Sequence, residues 1–235
     1  MKRSLSFFIA ASVAVAGAAA LGIKGDGKVV DSVRPVRGFT EISISAVEDL
    51  TVEYGREFKV VVSLDSNLQE YYESRVSGGT LRLGFRPGTS VNGLTRLKVT
   101  VTMPKLEGIE ASGASTIAVG KGFSGASFSA SLSGTGKLSG WFEYDRLEFE
   151  TSGTGSFEVS GKADRMSVSI SGAGSFAGRG LPVESAEVDI SGTGNVELTV
   201  SKSLDAEISG MGTVTYHGSP AVKQSISGLG RVIRG

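Results

Sequence analysis

The chain has 235 residues, with 24 basic and 24 acidic side chains, one histidine and no cysteine. The balance of charge excludes a nucleic-acid surface built on excess Lys and Arg. The lack of cysteine excludes disulfides and thiolate chemistry, so the fold must rest on packing and hydrogen bonds, which a chain of this length can supply from one core.

Residues 1 to 20 read as a signal peptide. Lys2 and Arg3 precede an apolar run from Leu5 to Ala16, and the small residues Gly17, Ala18, Ala19 and Ala20 offer a cleavage site. A membrane anchor is the competing reading, but the run is short for a bilayer core and rich in Ala rather than Leu. Cleavage leaves two more acidic than basic residues. The expected destination is outside the cytoplasm, in the periplasm, on the outer surface or in the medium.

Residues 21 to 108 are expected to form an N-terminal cap together with the first strands of a solenoid. Strands are predicted near 39 to 45, 48 to 54, 57 to 63, 80 to 86 and 95 to 103. The stretch "SNLQEYYESRV" is predicted as a short helix capped by Asp65 or Ser66, with Leu68, Tyr71, Tyr72 and Val76 on its apolar side. A solenoid end exposes core and unpaired edges, so a structural cap is the expected role.

Residues 109 to 235 repeat. The phrase SG-x-G, or a near variant, begins at Ser112, Ser133, Ser152, Ser171, Ser191, Ser209 and Ser227, at spacings of 21, 19, 19, 20, 18 and 18. A period of this length marks a solenoid. Before each serine, alternate positions turn inward, as at Leu147, Phe149 and Thr151 or Met166, Val168 and Ile170. Five residues after the serines stand Ile117, Leu138, Phe157, Phe176, Val196, Val214 and Val232, apolar in all seven copies. Period-two strands on both sides of a glycine corner predict an all-β parallel β-helix of about seven coils, stacked about 4.8 Å apart. The glycines are expected to reach positive φ at the corners.

Other glycine motifs do not fit. "GTGKLSG" and "GAGSFAG" lead into strand pattern rather than a helix and lack the Lys-Ser/Thr of a phosphate loop. A calcium-binding nonapeptide roll needs Asp where Phe157, Phe176 and Val196 stand. No six-residue rule of a left-handed acyltransferase helix runs through the chain.

The opening "VRPVRGFTEISISAVEDLTVEYG", the stretch "LDSNLQEYYESRVSGGTLRLGF" and the SG-x-G array together resemble the bacterial auto-transporter adhesin family with a head GIN domain. The resemblance covers nearly all of the mature chain. It implies a β-solenoid related in shape to pectate-lyase-like helices, no recognised catalytic residues, and an adhesive role at the surface or envelope. The coiled-coil stalk and membrane barrel of a complete autotransporter are not found in this sequence.

No catalytic, cofactor-binding or metal residue is assigned. His217 is the lone histidine and is read as a surface residue; Trp141, Phe142 and Tyr144 form the best glycan-contact stretch, with packing on the solenoid flank as the alternative. Glu187 and Asp189 should lie beside Asp205 and Glu207 of the next coil, in a column continuing from Glu150 and Ser169. Like charges across a ladder repel, so this doubling suggests a cation site or an acid pair, against the plainer reading of a solvated face. After the last corner, Arg231, Val232, Ile233, Arg234 and Gly235 leave a parallel edge that predicts self-association through the C-terminal coil unless the arginines guard it. The resulting expectation is a non-enzymatic envelope protein that offers an interaction surface to a protein or glycan. The rivals are a polysaccharide-active β-helix enzyme and a periplasmic partner of an envelope-stress system.

Overall fold

The period-two alternation is realised as strand almost throughout the computed structural model, which describes residues 22 to 235. The predicted signal peptide lies outside the described residues. Four long strands, Thr135–Thr151, Thr154–Ile170, Ala173–Ile190 and Thr193–Ile208, each run through a connecting stretch from one corner to the next. Each pairs in parallel with its successor, so that Leu138, Phe157, Phe176, Val196, Val214 and Val232 stack in one column. The fold is the expected all-β parallel solenoid of about seven coils.

The column is buried from Ile117 to Val214, and only Val232 is partly open. Five phenylalanines, Phe128, Phe142, Phe149, Phe157 and Phe176, fill the middle coils with ring centroids 4.7 to 6.3 Å apart. Thr151 is buried among them because its hydroxyl donates to the Leu132 carbonyl at 3.1 Å. The varied spacing of the repeat is absorbed between the corners, where the register slips near Gly178 to Pro182.

The corners need glycine for a different reason from the one expected. None of the first glycines of the phrase has positive φ. They lie flat on one another instead: a Cβ on Gly192 would stand 2.0 Å from the Gly172 carbonyl oxygen, and one on Gly172 2.1 Å from that of Gly153. Those carbonyls accept the next coil's backbone N–H, from Thr193 to Gly172 and from Ala173 to Gly153, each at 2.9 Å. The hydrogen-bond ladder thus turns the corner unbroken, and the space for a side chain is already taken by the coil beneath.

Parallel stacking continues into the segment where the sequence shows no repeat. Glu41–Ile44 and Glu48–Tyr54 pair in parallel with Gly108–Ala111 and Ala114–Val119, aligning Ile44 with Ala111 and Leu50 with Ile117. Thr80–Phe85 and Leu97–Met103 add a further parallel layer. Direction then reverses: Lys59–Asp65 runs antiparallel to Leu97–Met103, Val29–Arg34 antiparallel to Lys59–Asp65, and Tyr72–Ser77 antiparallel to Thr80–Phe85.

The predicted helix shrinks to one 3-10 turn, Ser66–Leu68. Asp65 precedes it but makes no side-chain cap, and Tyr72–Ser77 is a strand. The signal that decides this is "SGGT": Gly78 and Gly79 at φ 62° and 84° make the two-residue hairpin turn that joins Ser77 to Thr80. Leu68 and Tyr72 are buried as expected, whereas Tyr71 and Val76 are only partly covered.

Candidate functional site: the outer columns and the two ends

Stacking in register converts outward residues into straight columns. One reads Glu110, Ser131, Glu150, Ser169, Asp189, Glu207, Ser225; its neighbour reads Ser129, Glu148, Ser167, Glu187, Asp205, Lys223. Acid alternates with serine until Glu187 meets Asp205 and Asp189 meets Glu207. The structure therefore brings all four predicted acids together on one sheet face. Among the described residues, no three His, Cys, Asp or Glu side chains converge as metal ligands. The charge that answers the doubled acids is in the following coil, where Lys223 Nζ donates to Asp205 at 2.6 Å. That contact, followed by Glu207 and Glu187 nearby, raises the pKa of Lys223.

Only one of the three aromatic residues proposed for glycan contact is available. Phe142 and Tyr144 are buried, and the Tyr144 hydroxyl donates to the Leu106 carbonyl at 2.6 Å. Trp141 remains at the surface, its Nε1 donating to Glu143 at 2.8 Å and the Lys121 ammonium lying 4.3 Å from its ring centroid. One face of the ring thus already carries a cation. His217, read from sequence as a surface residue, is largely covered, and its Nε2 lies 2.8 Å from Glu197 on the preceding coil. Sequence spacing hides this pair, because twenty residues separate two neighbours.

At the N-terminal end lies a polar cluster that sequence reading missed. Glu48 is buried where later coils carry Gly136 and Gly155, with Ser115 between them in the same column. The Tyr72 hydroxyl donates to Glu48 Oε2. Burial raises the Glu48 pKa to about 7, opposed in part by that hydrogen bond. It also drives the Tyr72 pKa far upward, with the Glu48 charge adding to the effect. Arg34 reaches in from the edge strand, donating through Nη2 to the Gln69 carbonyl and side-chain oxygens at 3.1 and 2.7 Å. At the other end of the same strand pair, opposite Val29, Asp65 is fully buried; burial pushes its carboxyl upward, but hydrogen bonds from Thr95, Gly27 and Arg96 together outweigh it and keep its pKa low. Its carboxylate accepts the Gly27 and Thr95 backbone N–H groups at 2.9 Å each. The only sequence cue was an acid at an inward strand position, Glu48 in "AVEDLTV".

At the C-terminal end the core is open. All six residues of Ala221–Ile226 are exposed, and Val222, Gln224 and Ile226 continue the columns of Leu204, Ala206 and Ile208. Leu229 at the last corner is 84 % exposed.

These features define a parallel β-solenoid with hydrogen-bonded corners, whose outward side chains stand in columns. Residues 38–220 match the family described as "Putative auto-transporter adhesin, head GIN domain", and the chain belongs to that family. Membership implies an extracellular or envelope-associated location and a non-enzymatic adhesin-type role. Among solved structures, the chain is similar to a "putative adhesin" from Bacteroides fragilis, with 22% identity and a TM-score of 0.86 over 91% of this chain and 100% of that one. It is also similar to a "putative lipid binding protein" from Parabacteroides distasonis, with 21% identity and a TM-score of 0.71 over 91% and 99% of the two chains. A "putative adhesin" from Parabacteroides merdae has 21% identity and a TM-score of 0.62, again over 91% and 99%. At these identities the likeness is one of fold. No match is found among curated proteins.

Proposed function

We propose that the protein is a rigid adhesion head displayed on the outer side of the envelope, holding a protein or glycan ligand against its flat outer sheet faces. The supporting observation is the register kept by the stretches that enter the corners, which sets Glu148, Glu150, Glu187, Asp189, Asp205 and Glu207 in two straight columns on one face. A fixed array of this kind binds without paying for the ordering of loops. A ligand on this face would present cationic or hydrogen-donating groups at the strand spacing.

The test has two parts. Protease treatment of intact cells is expected to degrade the protein, and protection until the outer membrane is opened would place it in the periplasm and remove the surface role. Retention of the purified protein on host-cell or polysaccharide surfaces is expected to fall when Glu148, Glu150, Glu187 and Asp189 are changed to Gln or Asn. Retention unchanged by those substitutions would exclude the acidic face.

A further inference from the structure

We propose that the C-terminal coil is a docking face for a second copy of this chain, the two Ala221–Ile226 strands pairing antiparallel about a twofold axis at Gln224. The strand's inner row is Val222, Gln224, Ile226, all exposed, lying on the buried Leu204, Ala206 and Ile208. Among the described residues, its register pairing is with Thr193–Ile208 alone, on one side. In antiparallel pairing, directly opposite residues share a face. Centring the pair on Gln224 therefore sets Val222 against Ile226 of the partner subunit and Gln224 against its own copy. The apolar columns become continuous through the joint. The two Gln side chains, polar where the coil beneath has Ala206, can each donate to and accept from the other.

Charge on the outer side selects the same register. Lys223 falls opposite the partner's Ser225, and the next residue along that column is the partner's Glu207. Each Lys223, already on its own Asp205 at 2.6 Å, stands between the acid columns of both copies and keeps them from meeting unscreened. A head-to-tail joint has no such match: the outermost strand at the other end, Val29–Arg34, exposes Val29, Val30 and Val33, but its row Val30, Ser32, Arg34 ends in an arginine drawn in onto Gln69 rather than continuing an apolar column. The isologous joint pairs the two Ala221–Ile226 edges with each other and closes at two copies, whereas a head-to-tail contact would propagate into a filament.

The chain has no cysteine, so engineered thiols report only on this joint. Opposed Cα atoms of an antiparallel pair lie about 4.5 to 5.5 Å apart, within reach of a disulfide. Full-length Gln224→Cys is expected to form a covalent dimer on mild oxidation. Val222→Cys alone is expected not to, because its own copy is four residues along the strand, about 13 Å away. Mixing Val222→Cys with Ile226→Cys is expected to restore the bridge. Sedimentation of the unmodified protein is expected to show a concentration-dependent dimer, and Val222→Lys, with folding checked by circular dichroism, to weaken it at least about tenfold. A monomer at every concentration overturns the docking itself. A dimer in which Gln224→Cys stays unbridged, or Val222→Cys bridges alone, overturns the register and leaves association through some other face.

Discussion

The two ends of this solenoid solve one problem in opposite ways. At the N-terminal end the strand direction reverses, and Val29–Arg34, Lys59–Asp65 and Tyr72–Ser77 lie antiparallel over the last parallel layer. At the C-terminal end parallel pairing simply stops, leaving Val222, Ile226 and Ile233 exposed. Between them every coil copies its neighbour. The comparison shows that a repeat stores the instructions for propagation but not for termination, since a coil's residues fit the coil beneath whatever lies above. Termination at the N-terminal end required residues foreign to the repeat, including a buried acid, a buried tyrosine and an arginine drawn in from an edge strand.

The largest expected effect breaks the propagating part. Gly192→Val places a side chain against the Gly172 carbonyl oxygen, where even a Cβ would stand 2.0 Å away, and severs the corner ladder on two coils. A loss of about 4 kcal/mol or more is expected in denaturant unfolding. Ser167→Ala, on the outer face, is expected to stay within about 0.5 kcal/mol. Equal losses for the two would mean that the corner stack does not govern stability.

Next comes the terminating cluster. With a folded pKa of about 7 against an ordinary 4.5, Glu48 binds an extra proton in the folded state between those values. Its contribution is therefore full below pH 4.5, falls as pH rises through 7 and then levels, a decline of about 3 kcal/mol. Glu48→Gln, which preserves an acceptor for Tyr72, is expected to flatten this part of the stability profile. A smaller loss, about 2 kcal/mol, is expected for Asp65→Ala, which leaves the Gly27 and Thr95 N–H groups without their acceptor. Hydrogen exchange is expected to quicken at those two amides while the coils from 135 onward keep their protection. Uniform quickening would show that cap and coils unfold as one unit.

The smallest expected effect concerns the acidic columns. Millimolar calcium is expected to leave the melting temperature unchanged, since Lys223 already meets the doubled acids and no three ligands converge among the described residues. A rise abolished by Asp189→Asn with Glu207→Gln would restore the cation reading.

The repeat was legible because each coil obeys the same local rule, and the columns from Ile117 to Val232 and from Glu150 to Glu207 follow from spacing alone. The N-terminal segment was only partly legible. The five predicted strands lie within a few residues of observed ones, but the strand Val29–Arg34 is not among them, and the alternation in "YESRV" is taken at helical period although "SGGT" marks a hairpin. The pairing of His217 with Glu197, the burial of Phe142 and Tyr144, and the Tyr72 contact to Glu48 all depend on which coil or layer lies alongside. None of these can be read from a strand on its own.

The sequence by itself determined the period, the inward and outward rows, and the places where glycine is obligatory, because those are properties of one coil repeated. Tertiary structure decided why the glycines are needed. The sequence pointed to torsion, but the cause is contact: the backbone of one coil fills the space above the corner of the next. Tertiary structure also decided how the stack begins and ends, because closing an edge depends on chain that lies far away in sequence, and no local pattern carries the distance between them.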